Sequence, residues 1–97
     1  MTEVLSASDV DAAIDARGLH WRRDGDVLVK EADRGDFAGA LTYVNRVGAL
    51  AEAANHHPDI DIRWKNVVLR LSTHSAGGLT NLDLALAAEI DGLDDGA

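Results

Sequence analysis

Three of the four histidines, His56, His57 and His74, lie in the stretch from Glu52 to His74. Imidazole is the side chain whose ordinary pKa, about 6.5, lies nearest neutrality. His56 and His57 stand together before Pro58, and Glu52 lies one helical turn upstream of His56. A carboxylate four residues back on a helix shares a face with the imidazole and can orient it. His57 falls where Pro58 must break a helix, so it points elsewhere than His56. His74 closes Leu71-Ser72-Thr73-His74 and leads into a Ser/Gly-rich loop. Such a group could give and take protons at pH 7 without a metal or a covalent nucleophile.

Rival chemistries fit less well. There is no cysteine, so disulfides, thiolate zinc and cysteine nucleophiles are out. Adjacent histidines in regular structure rarely point at one ion, so no metal site is expected. Ser72 and Ser75 flank His74, but no Gly-x-Ser-x-Gly elbow surrounds either. His20, beside Trp21, reads as structural or surface. Trp64, two and four residues after Ile62 and Ile60, reads most simply as core; its functional reading is an aromatic wall for a flat ring.

The elements that must position these groups follow from periodicity and caps. Ser6 or Ser8 can cap a first helix carrying Val10, Ala13 and Ile14, which Gly18 stops. Leu19 to Arg23 alternates as a strand, Asp24-Gly25 signals a hairpin, and Val27 to Ala32 returns. Asp36 caps a second helix with Phe37, Ala40, Leu41, Val44, Val47, Gly48 and Ala51 in helical period, ending near His57. Ile60, Ile62 and Trp64 alternate in a third strand. Lys65-Asn66 turns, and Val67, Leu69 and Leu71 alternate in a fourth strand that ends at His74. Thr80 and Asp83 form a variant capping box for a third helix with Leu82, Ala85, Leu86 and Ile90 on one face. The prediction is one α+β domain over residues 1–97: a four-stranded antiparallel sheet with three helices on one face, and residues 94–97 as a frayed tail.

Composition narrows the partners. The net charge of −8 and pI of about 4.7 should repel nucleic-acid phosphates. No apolar run suits a membrane span, and no signal peptide is visible, so a cytoplasmic location is expected. A 97-residue chain buries a limited share of its surface. A homo-oligomer is therefore expected, with Leu84 and Ala88, off the main face of the third helix, as a candidate contact.

Glu52-x-x-x-His56-His57-Pro58, Trp64, Leu71-Ser72-Thr73-His74 and Gly78-Leu79 followed by Asp83 resemble the pattern of the pterin-4a-carbinolamine dehydratases. Weaker similarity reaches upstream through Trp21, Phe37, Ala40 and Val47 to Ala51-Glu52. The resemblance implies dehydration of 4a-hydroxytetrahydropterin to quinonoid dihydropterin, which recycles the pterin of aromatic amino-acid hydroxylases. It implies His56 and His74 as the acid–base pair and His57 as a pterin-positioning group. Glu52 would orient a histidine. Asn55, Ser72, Thr73 and Ser75 would line the pocket beside Pro58 and Trp64. No cofactor is implied, since the pterin is substrate; a homodimer or homotetramer is implied. Two positions depart from many animal members: Ile60 stands where they carry an aromatic residue, and Ser75 where they carry an acid. The alternative is a non-catalytic oligomeric binding or assembly module on the same fold. Relatives of that kind lose the histidines, whereas this chain keeps all three.

Overall fold

The structure, a computed structural model, describes residues 3–95. The elements run α1 (Ala7–Arg17), β1 (Arg22–Asp24), β2 (Val27–Asp33), α2 (Phe37–Ala54), β3 (Asp59–Arg63), β4 (Asn66–Leu71) and α3 (Asn81–Asp95). The four strands form one antiparallel sheet in the order β1-β2-β4-β3. The α+β architecture anticipated from the pattern is thus the one observed.

Local chemistry sets the boundaries. Ser6 caps α1 by accepting from the Asp9 amide at 3.1 Å, and Gly18, at φ 62°, ends it in the left-handed conformation. Asp36 caps α2 through the Gly39 amide at 2.6 Å. The hairpins turn one residue away from the expected places. Asp24 still pairs with Val27, so Gly25-Asp26 makes the first turn. Trp64-Lys65 makes the second, with Arg63 paired to Asn66. The first strand is also shorter than its alternation suggests. Leu19 and Trp21 precede it, yet both are buried.

Sheet and helices share one core. Leu28, Val67, Leu69 and Leu71 face Val10 of α1, Ala40, Val47 and Ala51 of α2, and Leu84, Ala87 and Ile90 of α3. The buried arc of α3 is rotated from the expected one. Leu84 is 1% exposed and Leu82 42%. The reason is that α3 touches both α1 and α2, so it buries a broad sector instead of one stripe. Leu84 is therefore core and offers no partner surface.

The end of α3 is anchored, contrary to the frayed tail expected from Asp94 onward. Lys30 of β2, 6% exposed, places its Nζ 2.8 Å from Asp91 and 3.0 Å from Asp94. Trp21 Nε1 donates to Asp91 at 3.0 Å, and the His20 amide donates to the other Asp91 oxygen at 2.8 Å. A buried ammonium so paired is costly to break on one side only. The last two residues of the expected tail lie outside the described residues.

Candidate active site

The first histidine pair is built by the way α2 ends. Asn55 adopts φ 50°, ψ 43°, and the His56 amide reaches back to the Ala51 carbonyl at 3.1 Å. This is a Schellman-type stop, which asparagine tolerates better than most residues. The helix therefore ends at Ala54, before the proline constraint acts. The reversal at Asn55 swings the two imidazoles apart. His56 turns into the protein and is 9% exposed. His57 turns back over the helix, and its Nε2 meets Glu52 Oε2 at 2.6 Å on the open surface. Glu52 thus orients His57, not the His56 that its four-residue spacing suggested.

The partner of His56 comes from α3. His56 Nε2 lies 2.5 Å from Oδ1 of Asp83, whose side chain is wholly buried. The other Asp83 oxygen accepts from the Thr73 hydroxyl at 2.8 Å and the Thr80 amide at 2.9 Å. Thr80 Oγ1 stands 2.8 Å from Thr73 Oγ1 and accepts from the Leu82 amide at 3.2 Å. Donors and acceptors close into one chain. Leu82 N–H gives to Thr80, the Thr80 hydroxyl to Thr73, and the Thr73 hydroxyl to Asp83. With two donors already on its other oxygen, Asp83 is placed to accept a hydrogen bond from His56 Nε2–H. The tautomer that makes this bond leaves Nδ1 as the acceptor nitrogen, the arrangement a base needs.

His74 hangs from the same network. The fourth strand stops at Leu71, and residues 74–77 form a turn, so His74 lies beyond the strand end expected for it. Thr73 anchors that turn. Its amide donates to the Gly78 carbonyl at 3.0 Å, and its carbonyl accepts from Ala76 and Gly77 at 3.0 Å. His74, exposed, therefore departs one residue from the group that clamps Asp83. The three histidines gather at one end of the sheet: His56 oriented from within, His57 oriented by a surface carboxylate, His74 on an anchored turn.

The remaining expected site residues divide. Pro58 and Ser72 are half-buried beside this end, and Ser75 is exposed on the turn. Asn55 is exposed and serves as the helix stop. Thr73 is 5% exposed, with its hydroxyl committed to Asp83. Trp64 is not brought to the histidines of its own chain. It sits in the β3–β4 turn, six residues beyond Pro58, which at about 3.3 Å per strand residue is roughly 20 Å away. Nor is it core: it is 68% exposed, with φ 55° and the Lys65 ammonium 5.0 Å from its ring centroid. A left-handed conformation at a residue this bulky costs roughly 1–2 kcal/mol.

Away from this end, ligand atoms of His20, Asp91 and Asp94 lie within 4.8 Å of one another. Lys30 already supplies the positive charge between the two carboxylates.

A family model described as pterin 4 alpha carbinolamine dehydratase matches residues 3–93. The chain belongs to the pterin-4a-carbinolamine dehydratase family. Curated relatives agree. A Nocardia farcinica protein is 47% identical over 95% of this chain and 96% of its own length, and a Roseiflexus castenholzii protein is 47% identical over 94% and 97%. Both carry pterin-4-alpha-carbinolamine dehydratase as a provisional name. Among solved structures, a transcriptional coactivator/pterin dehydratase from Brucella melitensis superposes with a TM-score of 0.84 at 26% identity, over 93% of this chain and 97% of that one. A pterin dehydratase-like protein identified as a RuBisCO assembly factor of the α-carboxysome shares the fold, with a TM-score of 0.61 at 24% identity over 77% and 87%.

Asp83 stands in the family pattern, but its contact with His56 is what the residue pattern did not reveal. Its three-residue spacing from Thr80 reads as a capping box, and the Thr80 amide bond confirms that half. The other half, a grip on a histidine 27 residues upstream, has no local signal.

Proposed function

We propose that this chain catalyses loss of water from a 4a-hydroxytetrahydropterin, with His56 and His74 handling the protons. The reaction requires a proton on the departing C4a hydroxyl, cleavage of the C4a–O bond with help from the N5 lone pair, and removal of the N5 proton. The products are water and a quinonoid dihydropterin with a C4a=N5 bond. The observation that carries this reading is the buried His56–Asp83–Thr73 chain, joined through the backbone to His74. It supports a reading in which one buried imidazole is oriented as an acceptor and a second, exposed one departs from the residue next to Thr73. Each proton transfer assisted in this way is worth about 10²–10⁴-fold. His57, held by Glu52, positions the pterin. The chemistry asks for no metal or cofactor, and the reading is of a cytoplasmic catalyst that returns pterin to a hydroxylase.

The second reading is a non-catalytic assembly module, favoured by the fold shared with the carboxysome assembly factor. One assay separates the two: dehydration of synthetic 4a-hydroxytetrahydropterin, followed by absorbance against an enzyme-free blank. The enzyme reading expects acceleration that saturates with substrate. A rate equal to the blank at micromolar protein would leave the module reading in its place.

A further inference from the structure

The end of α2 away from the histidines borders a second polar cavity. Arg34, Gly39, Thr42, Tyr43 and Arg46 line a space of about 200 Å³ between the loop after β2 and the first turns of the helix. At 1.5 Å per residue, Thr42 stands roughly 20 Å along the helix from Asn55. A molecule held there would not touch the histidine pair.

Glycine lets this wall close. A Cβ on Gly39 would collide with the Arg34 carbonyl oxygen and stand 3.0 Å from Asp36 Oδ1. Only a residue without a side chain allows the loop so near the helix. From the other direction the Arg34 amide donates to the Lys65 carbonyl at 2.8 Å. The root of the Arg34 side chain is therefore fixed.

The two charged residues of the lining are both arginines. Arg34 Cζ stands 4.4 Å from the centre of the Tyr43 ring, and one terminal nitrogen lies 3.3 Å from Asp94. These contacts hold the guanidinium in place. Its remaining N–H groups meet no acceptor among the described residues. Arg46 is exposed and has no ion pair among the described residues. Its own helix offers none, since the one carboxylate of α2, Glu52, is six residues on and engaged with His57. Two other carboxylates lie near. Asp94 is shared with Lys30 at 3.0 Å, and Asp36 is bound to the Gly39 amide at 2.6 Å. In a chain of net charge −8, a cavity lined by two arginines and no acid is an exception.

Such a pair suits an oxyanion. A guanidinium presents parallel N–H groups to two oxygens, so one arginine satisfies a carboxylate. Two arginines call for a group with at least three oxygens. We propose that this cavity binds the phosphoryl group of a small soluble phosphate ester, gripped between Arg34 and Arg46. The space equals about six waters at about 30 Å³ each, room for one such group. A nucleic acid or an anionic membrane fits less well, because the acidic surface around the cavity would repel it. The site needs no histidine and stands apart from the pterin reading.

Inorganic phosphate is the probe. Nitrogen-15 NMR of the wild-type protein, titrated with phosphate against chloride at pH 7 and constant ionic strength, reads the arginine Nε–H signals. Those of Arg34 and Arg46 should shift and saturate, while those of Arg17 and Arg63, exposed elsewhere, should not. Arg46→Ala removes only a surface side chain and should fold as wild type, yet bind phosphate at least about tenfold more weakly. Acetate, with two oxygens, should also bind at least about tenfold more weakly than phosphate. Vesicles of phosphatidic acid should not sediment the protein. Shifts that never saturate, shifts equal at Arg17 and Arg46, or an Arg46→Ala affinity equal to wild type would make phosphate a mere counter-ion and overturn the site. Acetate bound as tightly as phosphate would overturn the phosphoryl assignment. Sedimentation with vesicles, without saturable binding of free phosphate, would overturn the choice of a small soluble ligand.

Discussion

Replacing Asp83 by asparagine isolates the work of one buried carboxylate. Asp83 accepts three hydrogen bonds, at 2.5 Å from His56, 2.8 Å from Thr73 and 2.9 Å from Thr80. Asparagine keeps one acceptor oxygen and turns the other into a donor. If that donor faced Thr73 and Thr80, two buried donors would lose their acceptor, at about 1–3 kcal/mol each. The amide therefore turns its nitrogen to His56. The surviving bonds fall from charge-assisted to neutral strength, roughly 1 kcal/mol less apiece, so the variant should lose about 2–4 kcal/mol. At about 4–8 °C per kcal/mol for a domain of this size, the melting temperature should drop by at least about 8 °C. The imidazole must then accept at Nε2 and carry its proton on Nδ1, so the lone pair that served as base points inward. At a temperature where the variant is folded, kcat for carbinolamine dehydration should fall about 10²–10⁴-fold. Nitrogen-15 NMR of His56 should show the proton moved from Nε2 to Nδ1. A folded Asp83→Asn protein with wild-type kcat, or with the Nε2 tautomer retained, would show that the buried pair does not prepare His56 for catalysis.

Further outcomes follow from the same geometry. His57→Ala should raise KM more than it lowers kcat in steady-state assays, because His57 is a surface group tied to Glu52 and is assigned to hold substrate. Turnover should persist after exhaustive chelation and dialysis; activity lost to chelator and restored by zinc would assign a metal to the histidines. Tyr43 is 3% exposed, and its hydroxyl has no hydrogen-bond partner among the described residues. Burial, aided by the nearby Asp94 and Asp91 charges and opposed by Arg34, pushes its phenol up to about 12. Between pH 10 and 12 the unfolded chain therefore releases a proton that the folded chain keeps, and stability falls as pH rises through that window. Urea titrations should show a loss of about 2–3 kcal/mol there, relative to Tyr43→Phe. At pH 7 that variant should match or slightly exceed wild-type stability.

Much of the fold is legible in the residues because the signals are local. Gly18 and Asp36 mark helix ends through the conformations and hydrogen bonds of single residues. Val67, Leu69 and Leu71 alternate because one face of β4 is buried and the other is not. The histidine cluster is legible for a similar reason, since imidazoles are sparse and their types announce their chemistry. Other features depend on contacts between distant segments, which periodicity does not encode. The burial arc of α3 was set by having a helix on each side. The choice of His57 over His56 for Glu52 was made by one left-handed residue, Asn55. Asp83 and Thr73 meet His56 only because α3 and the end of β4 pack against the end of α2. Trp64, close to the histidines along the chain, is carried to the far end of a rigid hairpin by the rise of an extended strand. Residue types and local signals set which groups are available and where the chain must bend. Packing selects which of them meet, because hydrogen bonds and burial act over a few ångströms of space, whatever the separation along the chain.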